Sequence, residues 1–240
     1  MTVVPLRSPI VIADASGLTE LAHELAQEPA IGVDTESNSL FAYRERVCLI
    51  QFSTEERDYI VDPLALSDLN ALAPLFANPR QQKVFHAAEY DLLGLKRDYG
   101  FECANLFDTM IAAGTMGWQQ MGLAAILEAR FGVKLNKRYQ RSNWGQRPLT
   151  ADQLDYARRD THYLLPLRDL LQAALSAQGR VEEAYEAFAL LAQVPGDSKP
   201  TANDRFWRIN GARDLTPTQA SVLQQVYSYR EQQADHTDQP

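Results

Sequence analysis

The stretch Ala30-Ile31-Gly32-Val33-Asp34-Thr35-Glu36 constrains this chain more than any other. An apolar run passes without a break into two carboxylates two positions apart. A strand alternates its side chains between faces, so Asp34 and Glu36 project from the same one. Adjacent like charges repel, and a fold that holds them together needs a positive charge nearby. A divalent cation is the simplest candidate. On its own an Asp-Thr-Glu after a strand is more often a strand-end turn, so its meaning depends on the rest of the chain.

A chain of 240 residues fills one core and has room for a small appendage. No apolar stretch approaches the roughly eighteen residues that a membrane helix needs. The N-terminus carries Pro5, Arg7, Pro9 and Asp14 and does not resemble a secretory signal. Cys48 and Cys103 are far apart and lack metal-ligand spacing, which points to reduced thiols in a cytosolic protein. A formal net charge of −8 argues against binding nucleic acid through bulk electrostatics. It leaves room for a local patch. Arg130, Lys134, Lys137, Arg138, Arg141 and Arg147 supply one, with Phe131, Tyr139 and Trp144 among them and no acidic residue between. From charge alone, a solvated basic surface is as good a reading.

The pattern along the chain predicts a short helix over 18–27, then strands at Ile31–Thr35, Val47–Ser53 and Asp58–Val61. Polar Thr54–Arg57 joins the last two as a hairpin, so the sheet begins as a meander. Leu69, Leu72, Leu75 and Phe76 form a helical stripe; Lys83–His86 reads as a strand and Tyr90–Tyr99 as the helix after it. Asp108 is placed to cap another helix. Thr150 and Gln153 match a capping box for a helix from about Ala151 to Leu171, with Pro166 positioned to kink or interrupt it. Pro195–Pro200 reads as a linker, and residues 216–234 as one amphipathic helix.

Two further acidic elements join the first. Asp91 lies on the helix after the strand that ends in His86, and Tyr156 and Asp160, four apart, share a helix face. Each alone is weak: Asp91 reads as a solvated helix-start residue and Tyr156 as a half-buried amphipathic side chain. In order, a strand Asp-x-Glu, a strand-to-helix Asp and a helical Tyr-x-x-x-Asp resemble the DEDD exonucleases, in their tyrosine subclass. Val47-Cys48-Leu49-Ile50-Gln51, the pair His86 and Asp91, Phe107-Asp108-Thr109, Ser142-Asn143-Trp144 followed by Arg147-Pro148-Leu149, and Tyr156–Leu167 are similar to ribonuclease D. The resemblance covers roughly residues 10–190, and Phe206–Gln233 is similar to the start of the helicase-and-RNase-D C-terminal domain.

The resemblance implies an α/β, ribonuclease H-like mixed sheet flanked by helices. It assigns residues 1–194 to a 3′–5′ exonuclease domain, 195–204 to a linker and 205–240 to an incomplete helical segment. It implies two divalent ions, Mg²⁺ or Mn²⁺, about 3.5–4 Å apart, with Asp34 bridging both, Glu36 and Asp160 on the first and Asp91 on the second, largely through water. Tyr156 then orients the attacking water, and nucleoside 5′-monophosphates leave one at a time. The implied partner is RNA with single-stranded 3′ ends, such as tRNA precursors, in the cytoplasm. Candidate substrate contacts are Phe41 and Tyr43 for base stacking, with core or hairpin packing an equal reading of both, Lys137 and Arg138 for phosphate, and His86, for which ordering the strand is the preferred reading. DNA stays open as an alternative substrate, because a backbone-reading site tells the two apart poorly. A non-catalytic nucleic-acid-binding module is the third reading. No membrane association and no protein partner are inferred.

Overall fold

Among the described residues six strands make one mixed sheet: β1 (Ile10–Ile12), β2 (Ala30–Ser37), β3 (Val47–Ser53), β4 (Asp58–Val61), β5 (Gln82–Phe85) and β6 (Leu106–Asp108). Their spatial order is β1-β4-β3-β2-β5-β6. β2, β3 and β4 form the antiparallel meander; β1 runs parallel to β4, β5 to β2, and β6 to β5. The computed structural model describes residues 6–194 and 205–240, so the linker expected over 195–204 lies outside the described residues. Among the described residues no helix is long and apolar enough to cross a membrane.

β3 is buried at all seven positions, as a central strand covered on both faces must be. On one face Ile31, Val33, Ile50, Phe52 and Phe85 pack against α1 (Ala15–Leu25), α2 (Ala73–Ala77) and α3 (Glu89–Tyr99). On the other, Ala30, Val84 and Phe107 meet α4 (Thr109–Thr115), α5 (Leu123–Phe131), α7 (Leu164–Gln178) and α8 (Val181–Ala192). Leu49 and Ile60 on that face pack against Ala157 of α6 (Ala151–His162) and against Trp144.

The expected single helix from Ala151 is two helices. Pro166 has no N–H to give the His162 carbonyl, and the chain breaks at Tyr163 (φ −99°, ψ 0°) before restarting. The break lets α6 lie across β2, β3 and β4 while α7 follows β2 and β5. Thr150 and Gln153 form the expected capping box, and Asp108 caps α4 by accepting from Met110 and Ile111 N–H. The other Asp108 oxygen accepts from Ala88 N–H at 2.7 Å, which ties the start of α3 to the end of β6. β1, β6, α5 and α8 were not expected. The two strands have three residues each, too few to show a period.

The C-terminal helix α9 (Pro217–Thr237) opens on its own capping box, Thr216 with Gln219. It docks on the loop after β2: Tyr43 hydroxyl donates to Glu231 at 2.9 Å, Arg44 pairs with Asp235, and Arg44 N–H donates to Asp238.

Below α6 a polar knot fixes the helix on the sheet. The Asp58 carboxylate accepts from His162 Nδ1 at 2.9 Å, and Ser53 Oγ lies 2.7 Å from both Asp58 and Thr161 Oγ1. Gly32 allows the close approach: a Cβ there would stand 3.0 Å from the Thr161 carbonyl oxygen and 3.4 Å from Leu164 Cβ. Gly32→Ala is therefore expected to destabilise the fold by about 1–3 kcal/mol. The change should appear as a lower urea midpoint with an unchanged m-value; an unshifted midpoint would mean that the α6–α7 junction yields freely.

Candidate active site

Gly32, Asp34 and Glu36 share one face of β2, and Gly32 shows which helix that face meets: the end of α6. α6 in turn carries Tyr156 and Asp160 one turn apart. As a result Asp34, Glu36 and Asp160 each bring a carboxylate oxygen within 4.8 Å of the others, all three half-buried. Opposite Asp34 in the β2–β3 ladder sits Gln51. Cross-strand partners share a face, so its buried side chain extends beside the carboxylates, with neither amide atom partnered among the described residues.

Asp91 is not gathered with the three. Parallel pairing of β2 to β5 ends at Gly32↔Val84, so the Thr35 N–H lies past that ladder. Asp91, in the first turn of α3, takes it: Asp91 Oδ1 accepts from Thr35 N–H at 2.9 Å and from Thr35 Oγ1 at 2.5 Å. Thr35, pointing away from the cluster, thus fixes the fourth acid at its edge.

Burial raises the pKa of all four acids, and repulsion from the other acids adds to it for Asp34, Glu36 and Asp160. Asp34 and Glu36 are held well above the usual carboxylate range, by burial first and then by the neighbouring acids. Asp91 and Asp160 are each pushed up to about 7, mainly by burial and against the hydrogen bonds from Thr35 and Tyr156. Burial and the surrounding acids also push the Tyr156 phenol well above its ordinary value, so it remains a neutral donor, hydrogen-bonded to Asp160. The donor set is all hard oxygen, confined and short of positive charge. That fits a hard divalent ion of the Mg²⁺ or Mn²⁺ kind better than zinc. The Gln51 amide is a spare polar group where such an ion's water shell would lie.

The phenol is held by its neighbours. Trp144, 1% exposed, lies against it with centroids 5.9 Å apart and planes at 32°; Tyr139 meets it edge-on at 6.3 Å. Arg147 anchors the segment that carries Trp144. Its guanidinium makes two 2.7 Å bonds to Asp62 and donates to the carbonyls of Trp144, Gln146 and Cys48. The same pairing holds the Asp62 carboxyl below its usual range despite burial.

A family model described as 3′–5′ exonuclease matches residues 9–176. The chain belongs to that family. It is 32% identical to ribonuclease D of Acidiphilium cryptum over 97% of this chain and 59% of that protein. It is 37% identical to the exosome complex exonuclease RRP6 of Saccharomyces cerevisiae over 88% of this chain and 27% of that one. The crystal structure of Escherichia coli RNase D, described as an exoribonuclease involved in structured RNA processing, superposes with a TM-score of 0.80 at 30% identity. The match covers 97% of this chain and 62% of that chain. The chain therefore spans less than two thirds of each of these relatives, and the resemblance to ribonuclease D read from its motifs holds.

The cleft beside the clustered carboxylates is lined by residues that include Asp34, Glu36, His86, Asn136, Lys137, Gln140, Tyr156 and Asp160. Of the expected substrate contacts, His86 and Lys137 face it, and Arg138 borders the adjoining hollow with Arg159 and Tyr156. Phe41 and Tyr43 line neither hollow. Phe41 is exposed on the loop after β2, and Tyr43 is engaged with the C-terminal helix. Thr35 and Gln51 were missed as part of the site. Their signal was positional, one inside the Asp-x-Glu pair and the other in the strand beside it.

The raised carboxyl values make a stability statement. The folded chain holds these protons more tightly than the unfolded chain, whose carboxyls titrate near 4. Their stabilising effect is therefore complete below pH about 4 and is lost as pH rises through about 7. In EDTA the melting temperature should fall from pH about 5 to about 8, and Mg²⁺ or Mn²⁺ should restore it at the upper end. Asp34→Asn should flatten the decline in EDTA. A melting temperature that rises over this range without metal would contradict the electrostatics.

Proposed function

We propose that this chain is a metal-dependent 3′–5′ exoribonuclease that releases nucleoside 5′-monophosphates from the 3′ ends of structured RNAs such as tRNA precursors. The observation that carries the reading is the convergence of the Asp34, Glu36 and Asp160 carboxylates within 4.8 Å, at the floor of a cleft that Lys137 also lines. The relatives named ribonuclease D and exosome exonuclease support RNA as the substrate class.

Asp34 would contribute oxygen to both of two divalent ions, Mg²⁺ or Mn²⁺, Glu36 and Asp160 to the first, and Asp91 to the second. When bound, such ions supply Lewis-acid polarisation of the phosphate, a more acidic water and stabilisation of the departing oxygen. The chain's own part is placement. Tyr156, a neutral phenol gripped between Trp144 and Tyr139, orients the attacking water in line with the bond that breaks between phosphorus and the 3′ oxygen. Lys137 and Arg138 offer the positive charge that a net charge of −8 does not. Phe41 stacks on an unpaired base farther along the strand. Residues 1–194 carry the chemistry, and 205–240 form a helical appendage joined through 195–204.

A 3′-tailed RNA labelled at its 5′ end should shorten one nucleotide at a time with Mg²⁺ or Mn²⁺ and stay intact in EDTA. Asp34→Ala should lower the rate by a factor on the order of a thousand or more. Endonucleolytic products, a matched DNA degraded faster than the RNA, or full activity of Asp34→Ala would each overturn the reading.

The grip on Tyr156 generates a second expectation. Trp144→Leu should lower kcat about tenfold with KM little changed, because the phenol loses its stop. In a Tyr156→Phe background the same substitution should cost no more than about twofold, since the hydroxyl it places is already gone. Additive losses would show that Trp144 serves only the fold.

A further inference from the structure

His86 stands at the exit of β5, and parallel register brings it level with Asp34: Gly32 pairs with Val84, two residues before each. Its Nδ1 lies 2.9 Å from Thr109 Oγ1. The same Thr109 Oγ1 lies 3.0 Å from the Phe85 carbonyl oxygen. A carbonyl only accepts, and a hydroxyl has one proton. Thr109 therefore spends its proton on Phe85, and toward His86 it can only accept. That fixes the ring: the proton sits on Nδ1, donated to Thr109, and Nε2 carries a lone pair. Burial lowers the histidine's pKa, which agrees with a neutral ring.

The ring is thus locked as an acceptor facing the cleft. It is not one of the side chains whose donor atoms cluster with Asp34, Glu36 and Asp160, so that lone pair is free of their shared centre. What meets this lone pair must bring a hydrogen-bond donor. A nucleic-acid 3′ end brings its ribose hydroxyls whatever the base, whereas base amino groups come and go with sequence.

We propose that His86 is a sugar-reading residue: its Nε2 accepts a hydrogen bond from a ribose hydroxyl of the 3′-terminal nucleotide. This deepens the exoribonuclease reading and rests on it. It assigns discrimination at the terminal sugar to one locked ring, with Thr109 and the Phe85 carbonyl as the groups that set its tautomer. A histidine that only ordered the strand would be indifferent to the substrate's hydroxyls.

Two measurements test it. ¹⁵N NMR of the histidine rings in the free protein at neutral pH should show His86 neutral with its proton on Nδ1. A proton on Nε2 overturns the proposal without touching the exonuclease reading. The second uses three RNAs identical except for the last nucleotide, which is ribose, 2′-deoxyribose or 3′-deoxyribose. With the wild-type enzyme, kcat/KM for removing that nucleotide should fall about tenfold for the analogue that lacks the donating hydroxyl. His86→Phe keeps a ring without the acceptor. It should remove the ribose nucleotide about tenfold more slowly and show no further loss on that analogue. Equal rates on all three RNAs with the wild type, or full discrimination retained by His86→Phe, would overturn the assignment. Thermal melting of His86→Phe checks that the strand is intact, and His86→Gln, which can still offer an acceptor, should recover part of the discrimination. Loss of all exonucleolysis in the wild type, with the tautomer as stated, would instead count against the functional reading.

Discussion

Repulsion among carboxylates held at one end of a sheet is the constraint that the rest of this structure answers to. Asp34 and Glu36 come from one strand, Asp160 from the helix above it and Asp91 from the helix below the neighbouring strand, and burial raises the pKa of each. Such a cluster stabilises nothing by itself. It persists because the framework around it is over-determined. The absent Cβ of Gly32 lets α6 close on β2, the Asp58–His162 pair fixes α6 in register, and Thr35 uses a backbone N–H beyond the end of a ladder to hold Asp91. The strain at the site is balanced by rigid packing away from it.

The same logic explains two of the buried polar side chains left without partners among the described residues. The Gln51 amide and the Trp144 indole N–H are both enclosed and unpaired, at a typical cost of about 1–3 kcal/mol for each group. Both adjoin the reacting groups. Gln51 faces Asp34 across the ladder, and Trp144 lies against Tyr156. An apolar residue of similar size would remove the penalty at either position. Their presence sets shape and polarity at the cleft above stability.

Much of this was legible in the residues, and the failures have physical causes. The strands β2, β3 and β4 were readable because each is a distinct apolar run, and Thr150, Asp108 and Thr216 marked helix starts because capping is local chemistry. Pro166 showed that a helix would be disturbed. That the disturbance makes two helices, one over the meander and one over β5, is a tertiary fact. β1 and β6 are three residues long and owe their strand form to the partners beside them. The acids were found as an ordered set. Thr35 and Gln51 were not, because a threonine hydroxyl or a buried glutamine acquires meaning only when pairing register places it. Tyr43 shows the opposite limit: its place just after the acidic strand offered base stacking or packing alike, and its hydroxyl donates to a helix 188 residues away.

Direct titration with Mn²⁺ tests most simply whether the acidic cluster is a divalent-metal site. Calorimetry or electron paramagnetic resonance at about pH 7.5, above the value of about 7 to which Asp91 and Asp160 are pushed, should show saturable binding of about two ions per chain. That binding should be lost or cut to weak, non-saturating uptake in Asp34→Ala. A wild-type chain that takes up no Mn²⁺, or an Asp34→Ala variant that binds it as the wild type does, would contradict the account.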